Sequence, residues 1–90
     1  MSQAIVDPGE LRRFAHNLKR FVGELHTGLG ALHGQTVALG ETWRDQEHEK
    51  FVQEFEQTMA VLEHFMEQTN EHIPFLLRKA ERIEEYLSQK

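Results

Sequence analysis

The chain has 90 residues, of which 39% are hydrophobic and 28% are charged, and it contains no cysteine. This length predicts one domain, and the lack of thiols excludes disulfides, thiolate metal sites and cysteine nucleophiles. The net charge of −5 disfavours nucleic acid or anionic lipid as the main partner, and no apolar stretch reaches the ~18 residues of a membrane span. The first seven residues lack the basic and apolar regions of a secretory signal peptide.

A first helix is predicted over residues 8–39. Asp7 can cap this helix, Pro8 suits its first position, and Glu10 completes a capping box. Apolar residues then recur at helical spacing. One heptad position is leucine throughout, which predicts a packing seam along Leu11, Leu18, Leu25, Leu32 and Leu39.

Four glycines interrupt this helix, at Gly23, Gly28, Gly30 and Gly34. Each costs roughly 1 kcal/mol relative to alanine in an exposed helix. Two interpretations remain open: the glycines let another helix approach closely, or they mark a helix that forms only when it is packed.

Residues 40–44 are predicted to form a turn, since Gly40 suits a helix end and Thr42 or Asp45 can cap the next helix. A second helix then runs from about residue 45 to 88, with apolar residues at helical period. Pro74 predicts a kink in it, and the alternative is a break with a third helix starting there.

These elements predict an all-α protein, an antiparallel two-helix hairpin. A single hairpin is a thin rod that leaves apolar side chains exposed, so we expect two hairpins to pair into a four-helix bundle dimer. The residues expected to form the core or the dimer interface are Leu11, Leu18, Phe21, Leu25, Leu32, Phe51, Phe55, Leu62 and Phe65.

No motif indicates catalysis or a cofactor. The six histidines form no His-x-x-x-His pair and no Glu-x-x-His repeat, so we expect no metal site. Phosphate-binding loops and nucleophile constellations are absent as well. Histidines beside carboxylates, as in Glu47-His48-Glu49, leave a pH-sensitive interface as an open hypothesis.

The layout of the chain resembles that of a known family. Val6-Asp7-Pro8 opens the first helix, Trp43 lies in the turn, and Phe51 comes soon after on the second helix. This layout resembles the WXG family, small Trp-x-Gly proteins of type VII (ESX-like) secretion systems. The resemblance implies a homodimer or a heterodimer with a related hairpin, and an export ATPase or a larger effector as a possible further partner. It also implies secretion without a signal peptide.

This chain departs from the family pattern at two positions. The turn motif is Trp43-Arg44-Asp45, with aspartate in place of glycine. The family's C-terminal export signal would start at Tyr86, but the fourth residue after it is Lys90 and not an acidic residue. The alternative function is therefore a non-exported cytoplasmic adaptor or chaperone that binds an apolar helix of a larger effector.

Overall fold

The computed structural model of the chain describes residues 6–89. Helix α1 comprises Pro8–Leu39 and begins where the local sequence dictates. A carboxylate oxygen of Asp7 accepts hydrogen bonds from the backbone N–H groups of Gly9, at 2.8 Å, and Glu10, at 3.4 Å. These bonds satisfy two of the donors that the first turn of a helix leaves unpaired.

Gly40 ends α1 in a right-handed conformation, with φ −64° and ψ −14°. Glycine is therefore not needed here for a left-handed backbone. A Cβ atom at this position would lie 3.2 Å from His48 Cε1 and 3.3 Å from the backbone oxygen of Val37. Glycine is favoured because the second helix packs so closely against the turn.

Helix α2 comprises Gln46–Ser88 and is capped by Asp45, whose carboxylate accepts a hydrogen bond from the backbone N–H of His48 at 2.9 Å. The helix continues without interruption through Pro74. The alternative of a third helix starting at the proline is thus wrong. The Pro74 side chain is exposed, so its ring meets solvent and not the helix–helix contact.

The two helices pack side by side as an antiparallel hairpin, a rod with principal extents of 69 × 22 × 15 Å. The predicted all-α fold is confirmed. In each helix the buried apolar residues recur every seven positions, and we call these two sets the buried lines: Ala15, Val22 and Leu29 of α1, and Met66, Ile73 and Ala80 of α2. No large side chain in residues 6–89 is fully enclosed, because two helices alone cannot surround one.

Candidate pairing interface

One side of the hairpin is apolar along its length. A helix turns by about 100° per residue, so positions one, three and four residues away from a buried line fall to either side of it. In an antiparallel pair, the matching positions of both helices face the same way. On one side lies what we call the apolar face, made of Leu11, Phe14, Leu18, Phe21, Leu25, Leu32 and Leu39 of α1 with Phe51, Phe55, Leu62, Phe65, Leu76 and Ile83 of α2.

The structure puts every residue predicted for the core or interface on this face, and none of them on the buried lines. Leu11, Leu18 and Leu25 are half-buried. Leu25 packs against the central cluster of the hairpin, which is formed by Val22, Leu29 and Met66. Phe21 is 51% exposed and Phe65 is 41% exposed. The apolar face therefore retains much surface that the hairpin alone does not cover.

The innermost line of α1 was not predicted, since it runs through Ala15, Val22 and Leu29 and not through the leucine repeat. Ala15 and Ala80 are fully buried, one on each helix. Small side chains at these two positions allow a close approach of the helices, whereas the middle of the lines is filled by the larger Val22, Leu29 and Met66. The seven-residue spacing of Ala15, Val22 and Leu29 is the feature of the sequence from which this buried line could have been predicted.

The turn carries an aromatic cluster, which we define as Trp43, His48, Phe51 and Phe55. The ring centroid of Trp43 lies 5.0 Å from that of His48 and 5.8 Å from that of Phe51. Phe51 and Phe55 stack at 5.6 Å. Trp43 is half-buried, so it packs on α2 and still keeps part of its surface exposed.

The other two residues of the turn motif have separate roles. The Arg44 side chain donates a hydrogen bond to the backbone oxygen of Gly40 at 3.4 Å, and Asp45 caps α2. The position of His48 under the turn was not predicted. Its Nε2 atom is enclosed and has no hydrogen-bond partner within residues 6–89.

A groove runs along the side of the hairpin opposite the apolar face, and we call it the glycine groove. Its floor is formed by the buried residues Val22, Leu29 and Met66 with Met59. Its two walls carry Gly23, His26, Gly30 and His33 from α1, and Glu63 and Glu67 from α2. The seven-residue spacing of Gly23 and Gly30 shows from the sequence that they share one side of α1, but not that this side borders a groove against α2.

Charge is unevenly distributed along the rod. Residues 25–68, the half that contains the turn, carry eight acidic and two basic side chains, a net charge of −6. The described residues of the other half, 6–24 and 69–89, carry seven of each sign. There Arg12 forms an ion pair with Glu84 across the two helices. Both side chains are more than a third exposed, so this pair contributes at most about 1 kcal/mol.

The C-terminal end of α2 presents Tyr86 with 73% of its surface exposed. Lys90, the second departure from the export-signal pattern, lies outside the described residues. Within the described part of the chain, no helix has an apolar stretch long enough to cross a membrane. No cluster of three histidine or acidic residues that could hold a metal ion occurs in residues 6–89.

The fold and the apolar face define a class of protein, a helical hairpin with one exposed apolar side. Residues 3–86 match the model of the WXG100 family, described as proteins of 100 residues with WXG. The chain belongs to this family of small ESX-type secretion proteins.

Solved structures similar to the chain come from the secreted protein EsxB of Bacillus anthracis strain Sterne. The selenomethionine form has a TM-score of 0.78 at 26% identity, with 96% of this chain and 98% of that chain covered. The wild-type form has a TM-score of 0.76 at 27% identity, with 91% and 94% covered. No curated protein matches the chain.

Proposed function

We propose that the chain acts as a paired hairpin in a type VII secretion pathway. Two hairpins join through their apolar faces, and the resulting four-helix bundle is exported or accompanies an exported protein. The observation that carries the proposal is the apolar face, which runs the length of both helices and keeps residues such as Phe21 about half exposed. Membership of the WXG100 family and the description of similar EsxB structures as a secreted protein support the export step.

The partner that best fits the apolar face is a second copy of the chain in head-to-tail orientation. A parallel pair would bring two turn halves together, each with a net charge of −6. A head-to-tail pair places the centres of these two halves about half of the 69 Å rod length apart. Phe21 and Phe65 lie beside Val22 and Met66, near the middle of the rod, so a two-fold axis there places each next to its own copy.

Pairing and orientation can be tested together with spin labels, because the chain has no cysteine of its own. A label at Arg44→Cys marks the turn, and a label at Glu24→Cys marks the middle of the rod as a control. We expect a long distance between two Arg44 labels and a short distance between two Glu24 labels. A short distance at both positions would show a parallel pair, and no measurable label pair at either would contradict pairing itself.

Export is tested by following the chain in a host with and without its type VII system. We expect the chain outside the cell only when the system is intact. Retention in every background would contradict export and favour the second candidate, an adaptor that covers an apolar helix of a larger effector. The observation that favours the adaptor is Asp45 in place of the glycine of the turn motif.

The variant Asp45→Gly distinguishes the two candidates further. It restores the Trp-x-Gly pattern, and glycine replaces a capping aspartate at a cost of only a few tenths of a kcal/mol. If the turn motif limits export, this variant is secreted more efficiently than the parent chain. If neither chain is secreted, the adaptor function remains.

A further inference from the structure

We propose that the glycine groove is a second docking surface, which receives one basic amphipathic helix of a different protein. The groove lies on the opposite side of the hairpin from the apolar face. It therefore stays open when two hairpins pair. Its lining runs from Lys19 to His33 on α1, about four helical turns, with open volumes of about 660 Å³ beside Gly23 and about 230 Å³ beside Gly30.

The hairpin itself gives no reason for glycine at these two positions. A Cβ atom at Gly23 or Gly30 would meet no atom within 4 Å, and neither glycine has a positive φ. Each makes α1 less stable than alanine would at the same position. Gly40 is the contrast, since its missing Cβ makes room for His48 of the same chain.

The two glycines do give access to the groove floor. They are seven residues apart, so they lie on the same side of α1, two turns from each other. A longer side chain at either position would stand at the edge of the groove, above Val22 and Leu29. With glycine at both, the backbone of a docked helix can approach α1 closely, and its apolar side chains can reach the floor between the walls.

The charges around the groove select the kind of occupant. The wall from α2 carries Glu63 and Glu67, and Glu56 continues the same helix side one heptad nearer the turn. The opposite wall carries the imidazoles of His26 and His33, and among the described residues that line the groove only Lys19 is a lysine or arginine. The groove lies largely in the half of the rod with a net charge of −6, so its occupant carries lysine or arginine. This charge disfavours nucleic acid and the acidic turn half of a second copy. The other half of a second copy carries seven described side chains of each sign, so it lacks the basic excess that complements the groove.

The proposal can be tested by calorimetry on the full chain with a designed peptide. The probe is a 21-residue helical peptide with leucine and alanine on one side and lysine on both flanks. A matched peptide has glutamate at every lysine position. We expect the lysine peptide to bind with one site per chain and the glutamate peptide not to bind.

Three variants locate the site. Gly23→Leu and Gly30→Leu fill the groove and should each weaken binding of the lysine peptide at least tenfold. Gly34→Leu makes the same change on α1 outside the groove lining, again with nothing within 4 Å, and should leave binding unchanged. All three variants should fold, since leucine favours a helix more than glycine does. Helical circular dichroism checks this.

Other results would overturn the proposal. Equal effects of all three variants, or equal binding of both peptides, would show non-specific association. Loss of peptide binding in Phe21→Ala would place the site on the apolar face. A change in self-association of Gly23→Leu without peptide, measured by sedimentation, would identify the groove occupant as a second copy. Failure of hairpin pairing would be seen in a different experiment, as the absence of self-association of the parent chain without peptide. The pairing proposal and the groove proposal can therefore be refuted independently.

Discussion

Phe21→Ala is the sharpest test of the apolar face, because the chain supplies its own matched control. Phe21 and Phe75 are both 51% exposed on long helices, but only Phe21 lies on the apolar face. Full burial of a phenylalanine side chain is favourable by roughly 1.5–3 kcal/mol. Covering the exposed half of Phe21 in the dimer therefore contributes about 1 kcal/mol to the free energy of association. A symmetric dimer buries two copies, which gives about 2 kcal/mol and a rise of about 30-fold in the dimer Kd.

Sedimentation equilibrium over a dilution series measures this Kd directly. Phe75→Ala should leave it within about twofold of the parent value, since Phe75 lies outside the face. The helical content of both variants at high concentration should match that of the parent chain. If Phe75→Ala weakens the dimer as much as Phe21→Ala does, or if neither changes it, pairing through the apolar face is refuted.

Three further substitutions test the hairpin itself by thermal or urea unfolding. Asp45→Ala removes the cap on the His48 N–H and should lower the free energy of unfolding by about 1 kcal/mol, whereas Asp45→Asn should preserve it. Met66→Ala should lower the free energy of unfolding by about 2–4 kcal/mol because it opens a cavity at the central cluster. Its control, Val61→Ala at an exposed position, should lower it by less than about 0.5 kcal/mol. Pro74→Ala should raise stability by about 1–3 kcal/mol by restoring a helical hydrogen bond; a decrease would show that the proline is needed for packing.

The hairpin was predictable because its signals are local. Asp7 and Asp45 cap the two helices through bonds to residues two or three positions away, which the sequence shows directly. The apolar period distinguishes helix from strand without any knowledge of the partner element.

The choice of the innermost line was not predictable in the same way. A wide apolar stripe contains several seven-residue lines, and the most conspicuous, through Leu18 and Leu25, is not the deepest. The packing of α1 against α2 decides which line is inside, and this brings Val22 and Leu29 against Met66 from a distant part of the chain. The contact between Gly40 and His48 is likewise tertiary. A sequence pattern gives the spacing of such residues but not the side of the hairpin on which they meet.

The placement of the glycine groove opposite the apolar face determines the valency of the assembly. When two hairpins join by a two-fold axis through their apolar faces, each groove is turned outward, and the bundle presents two identical sites on opposite sides. A partner with two basic helices on a linker long enough to reach around the bundle would engage both sites. Its avidity would then be set by the linker and not by any additional contact.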